Sequence, residues 1–241
     1  MSPEPLLQVA GLVKSFGGFV VLDGLNFHVM PGEILGLVGP NGSGKTTCIN
    51  VITGLYKPQA GSITYRGREV GGLPSHRLVH LGINRTFQVP KPFLPLTVRQ
   101  NVEVAVAYGR PDGGAVDIDA LLASVGLDGH GGKPAAALNS IQQKMLDLAR
   151  ALATGPRLLC VDELAAGLNP GELDSVAQRL RELARGGMGL LVVEHLMGFI
   201  DQVTDRVIVL NAGREIFEGV LAEAVRDRQV VDVFLGTDHD D

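Results

Sequence analysis

Gly39-Pro40-Asn41-Gly42-Ser43-Gly44-Lys45-Thr46 is the stretch on which the fold turns. It fits G-x-x-x-x-G-K-[ST], a pattern in which glycines let successive backbone N–H groups wrap a phosphate at a helix N-terminus. Upstream, Glu33 to Val38 reads as a strand ending in this turn, and downstream Lys45 to Leu55 reads as a helix. In such a unit Lys45 reaches the β- and γ-phosphates, the Thr46 hydroxyl binds Mg²⁺, and Thr47 reaches the α-phosphate. The loop alone does not separate kinases, GTPases and transport ATPases.

Working outward, Leu7 to Val13 and Leu25 to Val29 read as strands before the loop. From Thr97 to Ala153 the pattern changes to helical spacing, broken by glycine-rich segments at Gly109 to Ala115 and Gly129 to Ala135, which predicts a helical lobe inserted between strands. Strand character returns at Leu158 to Val161, Leu190 to Val193 and Arg206 to Leu210, with a helix from Gly171 to Arg185 between the first two. The expected architecture is α/β, a doubly wound parallel sheet with crossover helices.

The 241 residues, 45% hydrophobic, are enough for one core with an appended lobe, and 5% aromatics against 32 glycines suit tight strand-to-helix turns rather than a base-stacking platform. A net charge of −5 provides no general basic surface, so nucleic acid is not an expected partner. No run is long enough to span a membrane, and Met1-Ser2-Pro3-Glu4-Pro5 has no secretory pattern, which predicts a cytoplasmic chain. Cys48 and Cys160 sit in apolar periodic segments and read as small buried hydrophobes.

Leu158-Leu159-Cys160-Val161-Asp162-Glu163 is a buried strand ending in two carboxylates at the sheet edge where ligands bind in such folds. Side chains alternate along a strand, so the two acids are expected to take different jobs. Asp162 is placed to hold Mg²⁺ through water, and Glu163 to polarise the water that attacks the γ-phosphate. Thirty-three residues past Asp162, Val192-Val193-Glu194-His195 brings an imidazole to the same edge; a lone histidine after a strand is usually structural. Gln88, after the strand-like Ile83 to Phe87, reads either as a hinge and metal or water ligand or as an ordinary loop glutamine. Phe16, before Gly17-Gly18, reads either as an adenine stacker or as a packing anchor.

In order and spacing this set resembles the nucleotide-binding subunit of ABC transporters from Leu7 to Gly236. The resemblance assigns Phe16 to adenine stacking, Gly39 to Thr46 to the Walker A loop, Gln88 to the Q-loop, and Asp162 and Glu163 to Walker B. Gly167-Leu168-Asn169 becomes the D-loop and His195 the switch histidine. It implies a RecA-like P-loop core with an antiparallel β subdomain in 1–96 and 154–236, a helical subdomain in 97–153, and an acidic tail in 237–241. ATP and Mg²⁺ are the implied ligands, the latter held by Thr46, Asp162 and Gln88. Ile52-Thr53-Gly54-Leu55, Asn84-Arg85-Thr86-Phe87-Gln88 and Ala165-Ala166-Gly167-Leu168-Asn169-Pro170 look like the ATPases of branched-chain amino acid importers and their relatives for amides or urea.

One departure stands out. The family's LSGGQ or LSYGQ signature lies 24 residues before the Walker B aspartate, where this chain has Leu138-Asn139-Ser140-Ile141-Gln142. Asn139 replaces serine and Ile141 the second glycine, although Ile141, Met145, Leu148 and Leu152 keep a helical apolar stripe. A further departure is Leu164 where the family usually has proline. In the family this helix end meets ATP on the opposite subunit, where a β-branched side chain crowds the phosphate. The resemblance therefore implies an ATPase heterodimer with one weakened site. It drives a separate membrane permease from the inner face of the cell membrane, served indirectly by a solute-binding protein. Two rivals are a nucleotide-gated machine for nucleic acid, which would show basic stripes or heptads, and a regulatory module that holds ATP uncleaved, against which Glu163 argues.

Overall fold

The computed structural model describes residues 4–110 and 113–235; residues 1–3 of the opening segment, the middle of the Gly109–Ala115 break and the acidic end 237–241 lie outside the described residues. Strands β1 (Leu7–Phe16) and β2 (Phe19–Val29) form a hairpin closed by Gly17-Gly18, both at positive φ as a two-residue turn demands. β3 (Ile34–Val38) leads through the glycine loop into α1 (Lys45–Ile52). β4 (Ala60–Tyr65) pairs antiparallel with β1, and the short β5 (Arg68–Glu69) with β4, giving a sheet ordered β2-β1-β4-β5. α2 (Ser75–Leu81) and β6 (Ile83–Arg85) follow.

α3 (Val98–Gly109), α4 (Ile118–Ser124), a 3-10 turn at Ala135–Ala137 and α5 (Ser140–Ala153) lie between β6 and β7 (Leu158–Asp162). Then come α6 (Pro170–Arg185), β8 (Gly189–Val193), α7 (Met197–Val203), β9 (Arg206–Asn211), β10 (Arg214–Gly219), α8 (Leu221–Ala224) and α9 (Arg228–Leu235). The second sheet runs β10-β9-β3-β8-β7-β6; all its pairs are parallel except β9 with β10.

Strand alternation divides the core. Leu35, Leu37, Leu158, Cys160, Leu191, Val193, Ile208 and Leu210 face the β1–β2–β4 sheet and α1. Their neighbours Ile34, Val38, Leu159, Val161, Leu190, Val192, Val207 and Val209 face α5, α6 and α7. A strand buried on both faces reads as continuous apolar sequence, which is why β7, β8 and β9 were legible. The structure extends several sequence expectations: β1 reaches Phe16, β2 begins at Phe19, and β10 adds an antiparallel edge to the expected parallel sheet. α1 stops at Ile52 rather than Leu55, because Gly54 at φ 73 turns the chain.

Candidate functional site

Parallel strands place their following loops on one edge. Leu37 pairs with Val193, Val193 with Asp162, and Arg85 with Cys160, so the segments after β3, β8, β7 and β6 emerge together.

The first is the glycine loop. Gly39 has φ 148, and a Cβ there would lie 2.2 Å from the Leu210 carbonyl oxygen, so the loop closes tightly on the end of β9. Gly44, at φ 109, starts α1 from a left-handed conformation beside Leu22 and Val21. Cys48 N–H already bonds back to Gly44, which leaves the preceding amides to the loop itself or to a ligand. The Lys45 ammonium donates to the carbonyls of Gly39 and Pro40, both at 2.8 Å. Burial lowers its pKa, while Glu163 and Asp162 oppose that shift.

Asp162 closes β7 and is 1% exposed. Its Oδ2 accepts from Arg85 Nη2 at 2.9 Å, its N–H donates to Thr86 Oγ1 at 3.2 Å, and its Oδ1 has no partner among the described residues. Burial raises its carboxyl above the usual range, against the pull of Arg85. The next residue turns away: Glu163 has φ 49, and its N–H donates to the Val193 carbonyl at 2.9 Å. Its Oε2 accepts from Gln88 Nε2 at 2.6 Å and its Oε1 meets His195 Nε2 at 2.8 Å. Two side chains from the ends of β6 and β8 thus share the carboxylate that follows β7.

A cavity of about 170 Å³ lies over the loop, lined by Val21, Asn41, Gly42, Gly44, Lys45, Thr46 and Thr47 and faced by Glu163 and His195. Ser43 Oγ, like Asp162 Oδ1, is buried without a partner. Two orphaned polar atoms and an ammonium held only by carbonyls form a donor set suited to phosphate oxygens and a hard divalent cation. Among the described residues no group of three His, Cys, Asp or Glu side chains forms a self-contained metal centre. Mg²⁺ does not require one, since it keeps waters and substrate oxygens among its ligands.

Phe16 lies outside this lining. It is 42% exposed, edge-on to Tyr56 with ring centroids 5.1 Å apart, and the Lys14 ammonium sits 4.7 Å over it. The signature positions are elsewhere as well. Asn139 caps α5, accepting from Gln142 N–H at 2.8 Å while its own N–H donates to Gln142 Oε1 at 3.1 Å; Ser140 is exposed. Asn139, Ile141 and Gln142 line a separate cleft of about 620 Å³, across which stand Leu168, Asn169 and Glu172. Asn169 caps α6 through the same reciprocal arrangement with Glu172.

Sequence reasoning missed four supporting side chains. Arg85 braces Asp162 and also reaches Asn50 and Thr53, and Thr86 holds the strand end. Lys144 and Glu194 are buried against the turn after β7. The available signal was a charge in an otherwise apolar strand or on an inward helix face, which needs partners to be present.

A sequence profile of the ABC transporter family matches residues 22–166. The high-affinity branched-chain amino acid transport ATP-binding protein BraF of Pseudomonas aeruginosa is 34% identical over 97% of this chain and 98% of its own length. LivG of Salmonella typhimurium, which bears the same description, is 35% identical over the same shares. Among solved structures, a nucleotide-free ATP-binding cassette from an ABC transporter superimposes with a TM-score of 0.87 at 29% identity, covering 96% of this chain and 99% of that one. A dimeric post-hydrolysis cassette bound to ADP and Pi gives 0.80 at 25% identity, covering 89% and 98%.

Proposed function

The chain belongs to the ABC transporter family, and from that membership we propose that it is the ATP-binding and ATP-hydrolysing subunit that energises uptake of branched-chain amino acids, or related small polar solutes, through a separate membrane permease. The observation that carries this reading is the position of Glu163, which faces Lys45 and Thr46 across one small cavity while Gln88 and His195 hold both of its oxygens.

In this reading the amides of Gly39 to Thr46 and the Lys45 ammonium bind the triphosphate, Thr47 reaches its α-phosphate, and Phe16 stacks on the adenine. Thr46, Asp162 and Gln88 hold Mg²⁺, which when bound neutralises charge on the phosphate oxygens. Glu163 accepts the proton of the attacking water, and His195, released from Glu163, steadies the γ-phosphate. Glu163→Gln is expected to bind ATP within about threefold of wild type and to lose hydrolysis by about 10²- to 10³-fold, within the usual range for removal of a general base. Lys45→Ala is expected to lose nucleotide binding. A Glu163→Gln protein that hydrolysed ATP at the normal rate would remove the base from this account.

No helix among the described residues is long and apolar enough to cross a membrane; the permease is proposed from the transport role in the names of the relatives. Phe93 and Leu94, 45% and 49% exposed beyond Gln88, form the proposed contact with the permease. The second ATPase subunit is proposed to be a different chain. Ile141 stands where the family has glycine, so this chain's own ATP fires against a partner's intact signature, while the site completed by its own signature is slow. The protein then works at the inner face of the cell membrane, with a solute-binding protein feeding the permease. Purified alone, it is expected to bind ATP with little turnover; brisk cooperative hydrolysis by the isolated chain would contradict the pairing.

A further inference from the structure

Lys144 lies on α5 and is 9% exposed, a rare position for an ammonium. Its Nζ donates to the carbonyls of Ala166 at 2.7 Å, Glu163 at 2.9 Å and Leu164 at 3.4 Å. All three belong to the turn that leaves β7. That turn begins with a left-handed non-glycine residue, Glu163, a conformation that persists only when its surroundings impose it. A second buried charge acts on the same four residues: Glu194, 2% exposed at the end of β8, accepts the Ala165 N–H at 2.6 Å.

The backbone from Glu163 to Ala166 is thus held by an ammonium on α5 and by a carboxylate just past the end of β8. Neither clamp residue lines the cavity above Lys45. Both therefore act through Glu163, whose side-chain direction follows its backbone. Lys144 sits about one turn from the N-terminus of α5, where Asn139 to Gln142 occupy the signature positions. A helix is stiff over so short a length, so any displacement of that terminus moves the ammonium and the turn it grips.

We infer that Lys144 is a positioning residue that sets the stance of the Glu163 carboxylate and carries to it the state of the nucleotide engaged by α5 across the dimer. This rests on the reading of Glu163 as base and of the α5 terminus as the contact in trans.

The test compares wild type, Lys144→Met and the double variant Lys144→Met with Glu194→Gln, which leaves no buried charge unpaired and so guards against simple misfolding. Amide hydrogen exchange on the full chain should show residues 163–168 exchanging at least about tenfold faster in the double variant, with β3 and α1 unchanged and ATP Kd within about threefold. In the complete importer in membrane vesicles, kcat should fall by about 10²-fold, the scale of an ångström-sized misplacement, with KM for ATP unmoved and the Hill coefficient for ATP falling toward 1. An unaltered turn, an undiminished kcat, or a kcat loss with the Hill coefficient retained overturns the inference. Glu163→Gln runs in parallel. If it still turns over, the base assignment fails; if it is inactive while the double variant runs at full speed, only the role of Lys144 fails.

Discussion

Asp162 ends an apolar strand, and what makes it tolerable there is another residue's charge. The carboxylate is 1% exposed and among the described residues its side-chain partner is Arg85, which is itself buried. Removing one member of a buried pair strands the other. Arg85→Met is therefore expected to lower the unfolding free energy by about 3–5 kcal/mol in urea titration, and adding Asp162→Asn should recover most of the loss. The cysteines are a second single-residue test. Burial raises the Cys160 thiol from an ordinary 9.0 to about 12, and burial also pushes the Cys48 thiol up. The folded chain keeps these protons where the unfolded chain sheds them. Their contribution to stability is thus complete below pH 9.0 and is lost as the pH rises toward 12. Thermal unfolding of Cys160→Ala should show a shallower decline over that range, and in the native wild type neither buried thiol should react with iodoacetamide at about pH 8, because the thiolate is the nucleophile.

Among the elements, α5 carries the most consequence. Its N-terminus is capped by Asn139 and Gln142, and its inner face carries Met145, Leu146, Leu148 and Ala149 together with Lys144. Asn139→Ala should reduce stability by about 1 kcal/mol, the usual worth of an N-cap, measurable as a shift in the urea midpoint. Ile141→Gly is expected to act oppositely on function. Glycine weakens the helix by roughly 1 kcal/mol but, if this end meets a partner's nucleotide as proposed above, removes the side chain that crowds it, so ATPase activity of the assembled transporter should rise. An unchanged rate would place the limit outside this helix. The apolar stripe made α5 readable from sequence, whereas β4 and β10 were not. Both have mixed, half-exposed side chains, β4 being flanked on one side only by the two-residue β5 and β10 lying at the sheet edge, and their strand character comes from pairing with β1 and β9.

Across the whole molecule, two apolar layers lie on either side of one sheet and hold four loops at a common edge. The site is therefore a property of sheet register rather than of any one loop. A core truncation such as Leu191→Ala, at a side chain with no exposure, should cost about 2–5 kcal/mol and disturb the alignment of Asp162 with Val193. The expected readout is a lower Tm accompanied by weaker ATP binding, although Leu191 lies outside the lining of the loop cavity.

Some of this was determined by the sequence alone. Glycines at 39, 42 and 44 followed by Lys45 specify the tight strand-to-helix loop, because few other residues permit its positive φ angles, and continuously apolar runs before Asp162 and His195 specify buried parallel strands. Such signals are local, since they depend on φ, ψ and side-chain period. What only the tertiary structure decided was the partnership of distant groups. Gln88 and His195 meet on the Glu163 carboxylate, Arg85 pairs with Asp162, and Lys144 and Glu194 hold the backbone of one turn. The reason is physical: a buried charge is affordable only beside its complement, and the chain's path through six strands determines which complement arrives.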